Sequence, residues 1–276
     1  MAGDPPARER LGKTIFLSLL LPGLGHLLAG RRAQGVALLV ACQILLFGGF
    51  MLAGNTQKDF GQPFSLFGTP VCYLLAPEMG NFLGSQVACA FLESVEQNGQ
   101  YPENLPWRHL GYALSGASGI LAFFIAAHAA GCQISSRRRA AGLTSNLHPG
   151  NAALANLLIP GLGHRMQGRH FKASLYAGSV LLLFLVGMSL GDFADFNRQR
   201  HPYYWIGQMC LGLPGWIATV ISPMLRFERV LPYQDAGLLF TTSAGMFNVI
   251  AALDAWRRVE EDWQTPDAAE AQEATA

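Results

Sequence analysis

Charge is what this chain has least of. Asp, Glu, Lys and Arg make up 13% of its 276 residues, and 51% are hydrophobic, where a soluble domain carries about 25% charged residues. The shortage excludes an ordinary soluble globular protein. With a net charge of +1 it also excludes a nucleic-acid partner, because no basic stripe is dense enough to neutralise several phosphates. Paired cysteines are missing as well. Cys42, Cys72, Cys89, Cys132 and Cys210 show no Cys-x-x-Cys spacing and lie within or beside apolar stretches, which marks them as small buried hydrophobes rather than a disulfide or metal framework. There is no Gly-x-Ser-x-Gly elbow, no phosphate loop ending in Lys-Ser or Lys-Thr, and no His-Glu-x-x-His. No catalytic residue, metal ligand or cofactor is therefore expected.

What the chain has instead is long uncharged apolar sequence. Gly35 to Ala53, Leu110 to Ile134, Ala173 to Leu190, Tyr203 to Leu225 and Ala236 to Leu253 approach or exceed the roughly 18 to 20 residues needed to cross a hydrocarbon layer. The expected class is an all-α, polytopic transmembrane bundle whose first solvent is the lipid bilayer.

The same five residues, Pro-Gly-Leu-Gly-His, stand at Pro22 to His26 and at Pro160 to His164. Pro22, Gly23, Gly25 and His26 align with Pro160, Gly161, Gly163 and His164, and the same offset brings Gly30 and Arg31 onto Gly168 and Arg169. The pattern predicts two tandem repeats, each of four apolar segments with Pro/Gly-broken first and third segments. The third segments are aligned through Pro77 and Pro214, where helical hydrogen bonding is lost. The expected boundaries are a cytoplasmic segment 1–13, a first repeat 14–140, a linker 141–150, a second repeat 151–258 and an acidic tail 259–276. The tail is rich in acids with Ala, Thr and Pro, and is expected to be disordered. Arg8, Arg10 and Lys13 before an apolar stretch have the outline of a secretory signal. The second copy of the motif sits mid-chain, which argues for its retention in the mature protein.

The fourth segments carry a ridge of small residues. Gly111, Ser115 and Gly119 align with Gly237, Thr241 and Gly245, and the four-residue spacing stacks them on one helix face, where a neighbouring backbone can approach closely. The ridges are expected to make tight helix contacts, with each other as one arrangement.

Charge distribution constrains topology, since Lys and Arg collect on the cytoplasmic side. If first and third segments do not cross, Arg8, Arg10, Lys13, Arg31, Arg32, Arg137, Arg138, Arg139, Arg165, Arg169, Lys172, Arg257 and Arg258 lie inside. Only Lys58, Arg108, Arg198, Arg200, Arg226 and Arg229 then lie outside. Eight full spans weaken this bias, so the count stays between four and eight. In both arrangements the termini are cytoplasmic.

Ionisable groups near the membrane are the remaining functional candidates. His26 and His164 are expected to cap the broken turns, with Arg31 and Arg169 held at lipid phosphate. Two histidines alone make an incomplete metal site. Asp254 and Arg258 are spaced for an ion pair, His128 takes the place of Asp254 in the first half as a solvated helix end, and Asn248 is placed for an interhelical hydrogen bond. The acids of 93–103 and 192–195 are expected to be solvated.

Pro-Gly-Leu-Gly-His followed by Gly-Arg and a Gly-led apolar helix resembles the hairpin of the TM-two domain family and of related bacterial membrane proteins of unknown function. The ending Ala244-Gly245-Met246-Phe247-Asn248-Val249-Ile250 with Asp254-Ala255 is similar to that of one such bacterial family. The resemblance implies a multi-pass protein of the bacterial cytoplasmic membrane and no defined enzymatic activity. The leading expectation is a non-enzymatic scaffold or accessory subunit that packs against itself or a membrane-protein partner. The alternative is a small transporter or channel with its path between the two broken motifs. A lipid-modifying enzyme using His26 or His164 is a third and weaker reading.

Overall fold

The computed structural model describes residues 7–54, 65–66, 69–70, 77–97, 105–140, 147–222 and 232–273. Apart from a two-residue antiparallel ladder, Ser65–Leu66 with Thr69–Pro70, the described chain is helix and turn. The first half runs α1 (Ala7–Leu20), α2 (Leu24–Leu28), α3 (Arg32–Ala53), a 3-10 turn at Pro77–Asn81, α4 (Phe82–Gln97) and α5 (Arg108–Ala140). The second runs α6 (Pro149–Leu158), α7 (Leu162–Met166), α8 (His170–Leu190), α9 (Pro202–Met209), α10 (Leu213–Ile221) and α11 (Gln234–Glu273).

Among the described residues, four helices are long and apolar enough to cross a membrane: Arg32–Ala53, Arg108–Ser136, His170–Leu190 and Gln234–Asp262. These are the second and fourth apolar segments of each half. At 1.5 Å per residue the first segments, 14 and 10 residues in α1 and α6, fall well short of a bilayer about 30 Å thick. The apolar stretch 203–225 is divided between α9 and α10 by a turn in which Gly212 takes φ +78°.

Both Pro-Gly motifs fold the same way. Gly23 has φ 87° and ψ −16°, and Gly161 has 84° and −14°, the left-handed region that costs a residue with a Cβ. Each five-residue helix that follows ends with Gly30 or Gly168 at positive φ. In each, the N–H of the next Arg donates to the carbonyl of the motif His, Arg31 to His26 at 2.9 Å and Arg169 to His164 at 3.0 Å. That is the six-to-one bond of a Schellman stop. Arg31 and Arg169 then start the long helices with nearly identical dihedrals, φ −89° and ψ 62° against −87° and 63°.

The small-residue ridges do bring helices close, but their partner is not each other. Gly111 and Ser115 of α5 lie against Gly49 and Ala53 of α3, and Gly237 and Thr241 of α11 lie against Gly187 of α8. The second segments carry their own small residues at the crossings, and α6 stands between α5 and α11, in contact with both. Farther along the ridges, Gly119 meets the carbonyl of Pro77 and Gly245 meets that of Gly207. Pro77 and Pro214 are therefore not packing equivalents. Pro77 opens the 3-10 turn on the ridge, whereas Pro214 lies in the first turn of α10, two residues after its N-cap Gly212.

Burial ranks the spans. The apolar window of α5 is 67% buried and that of α11 44%, against 28% for α3 and 22% for α8. The two outer helices thus present most of their apolar side chains, Ile44, Phe171 and Leu182 among them, to the surroundings. The core is built on α5, where Tyr112, Ala117 and Ile120 pack with Ala53, Leu157, Trp205 and Met209.

The acidic tail corrects the expectation of disorder, because α11 continues as helix to Glu273. Val259 is buried against Ala152 and Ala255. Arg257 pairs with Glu261 at 2.9 Å, Arg258 with Glu261 at 2.6 Å and Arg169 with Asp262 at 2.6 Å. Ala- and Glu-rich sequence has high helix propensity, and these anchors let it continue the helix.

Candidate functional site

The motif histidines do not cap their own turns. Each reaches across to the fourth-segment helix of its half, because the five-residue helix turns its His inward and both side chains are fully buried. In the first half His26 Nε2 lies 2.8 Å from His128 Nδ1, and the rings stack with centroids 5.1 Å apart. Cys132, one turn after His128 on α5, places its Sγ 3.6 Å from the same Nδ1. One ligating atom from each of His26, His128 and Cys132 lies within 4.8 Å of the others, and all three residues are buried.

Surrounding groups fix this cluster. His128 Nε2 stands 2.8 Å from Asn151 Oδ1, and an amide oxygen only accepts, so the His128 proton sits on Nε2 and Nδ1 offers its lone pair inward. Arg31 Nη1 donates to Cys132 Sγ at 3.0 Å and to Gln34 at 3.3 Å. His148, the N-cap of α6, accepts from Gly150 N through Nδ1 at 3.0 Å and lays its ring 4.7 Å from that of His128. Glycine makes the slot for it: a Cβ at Gly131 would lie 2.7 Å from His148 Cε1, and one at Gly150 would lie 2.7 Å from His128 Cα. Burial, then the neighbouring His128 and Arg31 charges, pull His26 down to about 4. The same causes in the same order bring His148 to about 4. Both rings are neutral at pH 7.

The corresponding positions of the second half hold different chemistry. His164 Nε2 donates to Ala251 O at 3.3 Å and lies 3.5 Å from Asp254. Asp254 also meets Lys172 at 3.2 Å and Arg258 at 3.4 Å. Tyr176 stacks on the His164 ring at 4.9 Å. Burial lowers the His164 pKa, with Asp254 opposing. Within the chain Arg31 bonds Cys132 and Gln34, and Arg169 bonds Asp262. His128 is not a solvated helix end: it is 6% exposed. Asn248 Nδ2 donates to Leu157 O and Cys210 O, both at 3.1 Å, and Asn156 donates to Asn248 Oδ1 at 3.4 Å. This joins α11 to α6 and to the turn after α9.

A third polar group escaped the sequence reasoning. Glu78, 1% exposed, accepts from Arg198 Nη1 at 2.7 Å and from Ser115 Oγ at 2.7 Å, and the Arg198 guanidinium lies 5.1 Å from the centre of the Tyr112 ring. A lone acid interrupting an apolar segment was the available signal. Asp195 corrects the expectation that the acids of 192–195 are solvated. It is fully buried, neither carboxylate oxygen has a hydrogen-bond partner, and burial pushes it up to about 7. The loop acids 93–103 lie largely outside the residues whose side chains are described, as do Cys72 and Cys89. Cys42, Cys132 and Cys210 are free and buried.

Compared with known proteins, residues 151–262 match the model of a family of unknown function, DUF6677. The matched stretch begins within α6 and ends at Asp262, and so covers the second half alone. No curated protein matches the chain. No solved structure matches it either.

Proposed function

We propose that the chain is a non-enzymatic scaffold or accessory subunit of a bacterial cytoplasmic membrane, built from two copies of one hairpin unit with both termini inside. The near-identical turn dihedrals at the two motifs support the duplication, and the hairpin likeness to TM-two proteins belongs to the same reading. The observation that carries the scaffold role is how tightly the motifs are filled. A Cβ at Gly25 would lie on Ser18 Oγ and 2.7 Å from Thr14 O, and one at Gly163 would lie on Ala152 O. Broken backbone at membrane depth is tolerated where protein covers it or where it lines a wet cavity, and here protein covers it. The groove beside the second motif, about 200 Å3, is lined by residues of 159–177 alone, with nothing from the first half. The sparsely buried faces of α3 and α8 leave room for lipid or a membrane-protein partner.

A transport path between the motifs is the competing reading, and one measurement separates them. Ser18→Cys and Ala152→Cys introduce small thiols beside Gly25 and Gly163 with little change of volume. In intact membranes neither variant should react with a water-soluble maleimide above the wild-type background. Labelling of either without denaturant would establish a water-filled route and remove the scaffold reading.

A further inference from the structure

We propose that His26, His128 and Cys132 form a three-coordinate binding site for a cuprous ion. The inference stands apart from the scaffold role and rests on the donor set alone. Two imidazole nitrogens and one sulfur converge from two elements, with His128 and Cys132 four residues apart on one face of α5 and His26 supplied by α2.

The protonation pattern suits a metal. The Asn151 amide oxygen 2.8 Å from His128 Nε2 holds the proton on that nitrogen and aims the Nδ1 lone pair at His26 and Cys132, which is how ligating histidines are fixed by their outer partners. In the metal-free site His26 Nε2 donates its proton to the His128 Nδ1 lone pair at 2.8 Å. His26 Nδ1 is buried with no hydrogen-bond partner, so binding an ion moves the His26 proton to Nδ1 and turns the Nε2 lone pair inward. Metal bonds of about 2.0 Å to nitrogen place two ligating nitrogens roughly 3.3 to 3.5 Å apart. The present His26 to His128 separation is 2.8 Å, so the rings need part by only about half an ångström to admit an ion. His148 is not a fourth ligand. Its Nδ1 accepts from Gly150, which places its proton on Nε2, and its ring instead closes the site against α6.

The choice of ion follows from softness and charge. Thiolate with imidazole selects copper(I) or zinc over hard cations. Arg31 Nη1 stands 3.0 Å from Cys132 Sγ, and its repulsion of a bound ion scales with that ion's charge. A monovalent ion meets half the repulsion that a divalent one does, and with the thiolate it forms a neutral pair. Binding replaces the thiol proton: the S–H bond breaks, the S–Cu bond forms, and the proton passes to solvent. No oxidation state changes. The second half cannot copy the site, because Asp254 and Arg258 occupy the positions aligned with His128 and Cys132.

The test uses the full chain, purified in detergent under anaerobic reducing conditions and titrated with copper(I) against a chromophoric chelator. One equivalent should bind, Cys132→Ser should abolish binding, Cys42→Ser should leave it unchanged, and Asn151→Ala should weaken it about 10- to 100-fold. X-ray absorption of the copper-loaded wild type should show one sulfur and two nitrogens, a readout independent of whether any variant folds. A sulfur-free shell, copper(I) binding that survives Cys132→Ser in folded protein, or retention of zinc(II) with no copper(I) bound would overturn the proposal.

Discussion

Asp195 shows how far one side chain can depart from what its position in sequence implies. Sitting among loop residues, it folds under the end of α8, where a Cβ on Gly237 would lie 2.5 Å from its Oδ2. Its pKa is raised from 3.8 to about 7 by burial, so between those values the folded chain holds a proton that the unfolded chain has lost. Stability contributed by this group therefore falls as pH rises from about 4 to 7 and stays lost above that. Asp195→Asn should raise the melting temperature in detergent clearly at pH 8 and little at pH 4. An equal shift at both pH values would show that the carboxylate is solvated. Sequence could not have supplied this, because Asp-Phe-Ala-Asp reads as a polar loop until the packing of Gly191 and Gly237 is known. The same limit hid Cys132: its spacing to His128 is visible in the sequence, but the approach of His26 from about a hundred residues away is not.

For the helices, the division of labour between small and large residues is sharp enough to test within neighbouring positions. A side chain at Gly49 would meet Ser115 N at 2.5 Å and Gly111 O at 2.8 Å, while at Gly48 nothing lies within 4 Å. Backbone atoms cannot rotate aside, so Gly49→Leu should destabilise the protein by about 1–3 kcal/mol or more. Gly48→Leu should stay within about 0.5 kcal/mol. Detergent denaturation of the two variants side by side checks this, and equal losses would mean that the crossing of α3 with α5 is wrong. The ridges on α5 and α11 could be read from spacing alone. Their partners could not, because a ridge declares that something comes close without saying what. Four of the five long apolar stretches were legible as spans because composition and length decide them, but the break of 203–225 at Gly212 was not. The helical continuation to Glu273 was not, since it depends on Val259 finding Ala152 and on Asp262 finding Arg169.

At the scale of the whole molecule, the described residues hold four candidate spans, an even number, and the proposed orientation with both ends on the cytoplasmic side rests on the Lys/Arg bias. Single cysteines added before residue 7 and after residue 273 should be labelled by an impermeant reagent only in inverted vesicles. Labelling of one end in each orientation would require an odd number of spans. The likeness of the two halves was legible at their opening motifs and faded elsewhere, because the shared backbone path at Gly23 and Gly161 needs glycine whereas the groups it delivers do not need to match. The pairing of Glu78 with Arg198 also bears on how the protein is made. The acid leaves the ribosome 120 residues ahead of its cation, which at about 5–20 residues per second means roughly 6 to 24 s of synthesis. During that wait the nascent first half can offer the Glu78 carboxyl a hydrogen bond from Ser115 but not its cation, so the packing of the Pro77 turn on α5 is expected to be completed only when Arg198 arrives.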